Sequence, residues 1–208
     1  MSVNSSHRKR QKAETRAAIV AAGRECFRES GYQATGVADI AKRAGVAHGT
    51  FYVHFDDKGQ LLDEILNDFN ASLVRRLERT WPERAPDQPQ DLAKKLARVC
   101  LDAWQADREL VLAFAERAGV DGAVTALRDG ISPPIARFLA DRLSAFGGGN
   151  AAEAELVAQA LLGLWTRVGL QYLFGQGPNK KRTVELLAQL SVGAVSSVFS
   201  TLESRPSP

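Results

Sequence analysis

Five neighbouring residues near the amino end carry groups suited to touching a polyanion while holding little charge themselves: His48, Gly49, Thr50, Tyr52 and His54. Imidazole, hydroxyl and phenol groups exchange hydrogen bonds, and glycine lets a backbone come close to whatever lies against it. Interleaved with them are Val46, Phe51 and Phe55, whose spacing puts an apolar stripe behind a short helix spanning about 47–55. A rod that is greasy behind and lightly polar in front fits the major groove of DNA, where such side chains meet base edges and phosphates. Catalytic chemistry has no comparable cluster. The sequence holds no Ser/His/Asp set, no glycine-rich phosphate loop and no metal-ligand spacing, and its three histidines, His7, His48 and His54, all fall in the first third. We expect no enzyme, no cofactor and no metal site.

Such a rod has to be held by other elements. From Lys12 to Arg28 the apolar residues Ile19, Ala22, Cys26 and Phe27 recur at helical steps, and Gly31 suits a left-handed stop. Val37 to Ala44 reads as a helix of two turns closed by Gly45. A helix that short does not persist alone in water, so Val37, Ile40, Ala41 and Ala44 must pack. Asp56 is placed as the N-cap of a fourth helix running through Leu61, Leu62, Ile65, Leu66 and Phe69 to about Arg79. All eight prolines follow residue 81, and the stretch Trp81 to Gln90 reads as a loop. Helical periodicity returns over Asp91 to Arg117 and Ile135 to Phe146, the latter begun by Ser132-Pro133-Pro134. It closes with Ala151 to Phe174 and Lys181 to Leu202. The fold class is all-α: a three-helix amino-terminal domain followed by a helical carboxy-terminal domain.

Charge is distributed unevenly. The net +3 resolves into ten Lys/Arg against six Asp/Glu in residues 1–60, and seventeen against eighteen beyond. Much of the surplus lies in Arg8, Lys9, Arg10, Lys12 and Arg16. Residues 1–11 are expected to be a basic disordered arm, which either draws phosphate without reading bases or is simply solvated. No run of 18 apolar residues occurs and the polar start does not resemble a secretory signal, so a cytoplasmic protein without a membrane partner is expected. Cys26 and Cys100 read as small buried residues, with a redox pair as the alternative.

The run from Ala34-Thr35-Gly36-Val37-Ala38-Asp39-Ile40 through Ala41-Lys42-Arg43-Ala44-Gly45-Val46-Ala47 to His48-Gly49-Thr50-Phe51-Tyr52-Val53-His54-Phe55 resembles the helix-turn-helix of the tetracycline-repressor (TetR) family. Asp56-Asp57-Lys58-Gly59-Gln60-Leu61-Leu62 continues the likeness, which covers about residues 12–66. The resemblance implies a DNA-binding head, a larger ligand-binding body and a homodimer made by the last two helices. It implies that His48 and Gly49 face bases, with phosphate left open as the alternative for His48. Thr50, Tyr52, His54 and Lys58 would meet the DNA backbone. Gly36 and Ala38 stand where the family has a Thr and often an Arg, and Gly59 where a Glu often completes a capping box. Contact from the start of the second helix therefore passes to Lys42, Arg43 and the arm. Domains are expected at 1–11 (arm), 12–58 (helix-turn-helix) and 59–204 (ligand binding and dimerisation).

The closing helices are apolar most of the way round, through Leu156, Val157, Leu161, Leu164 and Val168, then Leu187, Leu190, Val195 and Phe199. Such helices are buried on two sides, by their own domain and by a second copy, or else at the centre of a monomeric bundle. Gly163, Gly169, Gly193, Ala194, Ser196 and Ser197 would let helices approach closely. A dimer suits a palindromic operator in double-stranded DNA, because one short helix reads few bases. Trp104, Phe114, Phe138 and Trp165 either line an apolar pocket or form plain core. Arg167 and Gln171 either orient a ligand or serve the dimer interface. The expected effector is a small apolar or aromatic molecule of unknown identity that releases the DNA. Control by a partner protein, and activation in place of repression, are the alternatives.

Overall fold

The computed structural model describes residues 2–82, 88–120, 133–147 and 150–203. Its helices in chain order are α1 (Ser2–Ala34), α2 (Val37–Arg43), α3 (His48–Tyr52), α4 (Lys58–Thr80), α5 (Pro89–Ala106) and α6 (Arg108–Val120). They continue with α7 (Pro133–Gly147), α8 (Ala151–Leu173) and α9 (Lys180–Glu203). No strand occurs among the described residues, and the all-α expectation holds. The expected Ser132 cap and the glycines 148 and 149 lie outside the described residues, as do 83–87 of the expected loop.

The chain divides into two compact units, residues 1–69 with 108–124 and residues 70–107 with 125–208. This differs from the expected boundary at residue 58, because α6 returns to pack on α1. Two polar links accompany that packing. The Glu116 carboxylate accepts the Tyr32 backbone N–H at 2.9 Å, and Arg117 donates to the Gly59 carbonyl at 3.1 Å while pairing with Asp63.

Within the first unit, Ile19, Phe27, Ile40, Phe51, Phe55, Leu61, Leu62 and Ile65 are fully enclosed. Each such side chain contributes about 1.5–3 kcal/mol on leaving water, which is what holds the two-turn helices in place. The stop at Gly31 is present, with φ 75°, although helical structure resumes to Ala34. Thr35 is buried there and donates to the Gly31 carbonyl at 2.6 Å. At the head of α2 the glycine cap is served from the other side, since the Asp39 carboxylate accepts the Gly36 N–H at 3.1 Å. At its end, Gly45 takes φ 69°, its N–H reaches the Lys42 carbonyl and that of Val46 the Ala41 carbonyl, a Schellman closure.

Two expectations change. The arm is not a coil: α1 runs back to Ser2, with no proline or glycine to interrupt it before Gly23 and an Arg10–Glu14 pair one turn apart. The cap of α4 is Asp57 in place of Asp56, its carboxylate accepting the Gln60 N–H at 2.7 Å, while the Gln60 side chain accepts the Asp56 N–H. A side chain at Gly59 would come within 3.0 Å of the Asp57 carboxylate and 3.1 Å of the Arg117 guanidinium, so the glycine makes room for both.

In the second unit, Ala97 and Leu101 of α5 pack with Val184 and Leu187 of α9, and Leu143 of α7 packs with Ala154, Ala158 and Leu161 of α8. The expected single helical stretch Asp91 to Arg117 breaks at Asp107, whose non-helical φ −115°, ψ 37° ends α5. Among the described residues no helix is long and apolar enough to cross a membrane.

Candidate nucleic-acid interface

The recognition candidate α3 is held from behind. Phe51 is fully enclosed and its ring lies 5.7 Å from that of Phe55. In front, His48 and Gly49 are exposed, Thr50 is half-buried and Tyr52 is 51% exposed. The His48 and Tyr52 rings meet edge to face, 5.3 Å between centroids, so the phenol steadies the imidazole that leads the helix. A Cβ added at Gly49 would meet nothing within 4 Å, which leaves the backbone open to a close approach. Val53, 66% exposed, lies beside them and carries no sequence signal of its own. Its methyl groups are suited to a thymine methyl in the same groove.

His54 is half-buried at the foot of α3. Burial first, then the charges of Lys12 and Arg16, push its imidazole below the usual histidine range, so the ring is neutral at pH 7. Arg16, read from the sequence as part of a phosphate-seeking run, is occupied inside the protein. Its guanidinium donates to the His54 carbonyl at 2.6 Å, lies 4.1 Å over the Phe55 ring and pairs with Glu64.

The remaining expected contacts are spoken for or stand elsewhere. Lys58 donates from Nζ to the carbonyls of Tyr32, Gln33 and Thr35 at 2.7, 3.2 and 2.9 Å. An ammonium has three protons, so all are engaged with the end of α1 and none is left for phosphate. Arg43 binds Glu29 at 2.5 Å and approaches Glu25 at 3.8 Å, and this contact holds the Glu29 carboxyl below its ordinary value. Lys42 is exposed and lines, with Arg43, a cleft between α1 and α2. The structure thus gathers His48, Gly49, Thr50 and Tyr52 on α3 with His54 just beyond it, and engages Lys58 and the exposed Arg43 with protein partners.

Residues 19–65 match the model of the bacterial regulatory proteins, tetR family. This stretch is similar to the amino-terminal region of the TetR family. A curated relative, the HTH-type transcriptional repressor Rv3405c of Mycobacterium tuberculosis, is 38% identical over 95 residues, covering 44% of this chain and 49% of the relative. The chain spans about half the length of the curated relatives it matches. In fold, a TetR-family regulator from Syntrophomonas wolfei is similar with a TM-score of 0.66 at 18% identity, covering 88% of this chain and 95% of that one. RolR, solved with resorcinol, is similar with a TM-score of 0.63 at 21% identity, covering 96% and 97%.

The body residues read from the sequence as either pocket lining or core are placed as follows. Trp104 is buried against Gly169, where an added Cβ would fall 1.9 Å from the indole. Phe138 is buried edge-on to Trp81 at 5.7 Å, and the half-buried Trp165 donates to Ser191 at 2.8 Å. These three are core. Phe114 belongs to the first unit, and Gln171 is half-buried on α8. Only Arg167 of the six lines the open groove between α7 and α8, a space of about 880 Å³ bounded also by Arg137, Thr166, Leu162 and Leu170.

Proposed function

We propose that this chain is a cytoplasmic transcription regulator of the TetR type, a repressor that binds a palindromic operator as a homodimer and is released by a small apolar or aromatic effector. The observation that carries the DNA half is α3 itself: a helix with Phe51 fully enclosed behind and the His48–Tyr52 ring pair exposed in front. That exposed face offers imidazole, hydroxyl and phenol groups and holds no lysine, arginine or carboxylate, as base reading requires donors and acceptors more than net charge.

The second half rests on α8 and α9. Leu156 and Leu190 are exposed at 68% and 48%, and Gly163 and Gly193 lie on the same open sides, where an added Cβ would meet nothing within 4 Å. Two apolar, small-residue faces on neighbouring helices suit a second copy, which removes Leu156 and Leu190 from water. The α7–α8 groove shares Gly163 and Arg167 with that face, and its Leu162 and Leu170 with two guanidiniums suit an amphipathic ring. RolR binding resorcinol gives the effector class a precedent in this fold.

Titrating the full chain into labelled duplexes of random and selected sequence tests the proposal. Tyr52→Ala should weaken specific and unrelated duplexes alike, and aromatic effectors should raise the melting temperature by mass action. A protein that ignores every duplex at low ionic strength would rule it out.

A further inference from the structure

The turns of α1 that precede the core are exposed among the described residues of their unit. Every described side chain from Ser6 to Glu14 is exposed, and the first buried one is Ile19. Across residues 8–12 stand Arg8, Lys9, Arg10 and Lys12, and the one acid nearby, Glu14, pairs with Arg10 at 3.2 Å. Helix without burial is marginal in water, and like charges one turn apart, as in Arg8 and Lys12, weaken it further. A partner that supplies negative charge along the helix reverses that effect.

Position identifies the partner. Steps of four residues stack Arg8 and Lys12 over Arg16, and Arg16 is the residue whose guanidinium reaches the His54 carbonyl at the foot of α3. Lys12 is itself close enough to disfavour charge on the His54 imidazole. The stripe therefore leaves the protein beside the end of α3, and at 1.5 Å per residue Arg8 lies roughly 12 Å beyond Arg16. DNA carries a charge about every 1.7 Å of its axis, so this reach covers several phosphates outside the groove that α3 would fill.

We infer that these leading turns of α1 are a second DNA-contacting element, a basic helix whose Arg8, Lys9 and Lys12 grip phosphates flanking the recognition groove and are steadied by them. It rests on the reading of α3 as the base-reading helix. It adds affinity and length of contact without adding sequence preference, since phosphate contacts carry no base information.

The test compares the full chain with the triple variant Arg8→Gln, Lys9→Gln, Lys12→Gln, on a duplex selected from a random pool by the full chain. Affinity is measured between about 50 and 200 mM salt. The variant should bind at least about tenfold more weakly at low salt, with a slope shallower by about 0.9 for each phosphate it no longer neutralises. It should select the same sequence and melt at the same temperature. Shortening the duplex ends should weaken the full chain and leave the variant unmoved. Equal affinity and slope on the long duplex would overturn the inference while α3 still reads its site, as would a lower melting temperature with the slope unchanged. A full chain that binds no duplex at all would overturn both readings together.

Discussion

The ammonium of Lys58 lies 2.7 Å from the carbonyl oxygen of Tyr32, tying the first turn of α4 to the end of α1 across 26 positions of sequence. Two further carbonyls, of Gln33 and Thr35, complete the set, and the Tyr32 ring sits 4.5 Å from the same nitrogen. Carbonyls left over at a helix end are satisfied by a cation whose charge also suits the negative end of the dipole.

Lys58→Met should therefore act on stability. Hydrogen bonds to charged groups contribute about 1.5–3 kcal/mol, and denaturant unfolding of the variant should show a loss in that range. The salt dependence of DNA binding should not change. A slope reduced by about 0.9 with stability intact would restore the phosphate role that family likeness implies.

His54 makes two opposite pH responses. The fold holds its imidazole neutral below the usual 6.5, so as pH falls through 6.5 the unfolded chain takes up the proton first and stability declines. On the reading that His54 meets a DNA phosphate, that contact favours the protonated form, and DNA affinity should rise over the same interval. Melting temperature and affinity measured at pH 7.5 and 5.8 should both lose this component in His54→Gln. A variant with the wild-type response on both would contradict the assignment.

Two glycines of α8 and one of α9 separate packing from assembly. Gly169→Ala drives a methyl into Trp104 and should cost about 1–3 kcal/mol. Gly163→Ala and Gly193→Arg meet open space within the chain. The first should be neutral or stabilising by up to about 1 kcal/mol. The second should leave the fold intact and yield a monomer by light scattering, with weakened operator binding. A dimer of unchanged affinity would place the interface elsewhere.

The cysteines should be inert. Both are free and buried, and full burial pushes the Cys100 thiol up to about 12, with Cys26 raised for the same reason. Thiolate is the reactive form, so labelling of the native chain at pH 8 should run only at the rate of unfolding. Rapid labelling of Cys26 would show that the first unit opens locally.

What the sequence made legible was the periodic part. Phe51 and Phe55 fall behind α3, Ile40 and Ala41 beneath α2, and Gly45 in the left-handed turn, because each follows from spacing or from a backbone need that only glycine meets without strain. Side-chain partners distant in sequence were not legible. Lys58 and Arg16 look like phosphate ligands until the carbonyls of Tyr32 and His54 are placed against them. Gly163 and Gly169 have the same composition and the same helix, yet one faces open space and the other Trp104. The return of α6 onto α1 was equally hidden, since its links are single residues, Glu116 and Arg117. Which of pocket or core the aromatics form was left open for a related reason: Trp104 and Phe138 pack on neighbours that periodicity does not name.

The central claim is that α3 reads bases through its leading imidazole, and selection from a random duplex pool tests it most directly. The full chain should recover a palindrome, and His48→Ala should recover one altered at the same position or two in each half, with an unchanged salt slope. Identical sequences from both proteins, bound with equal affinity, would contradict the claim.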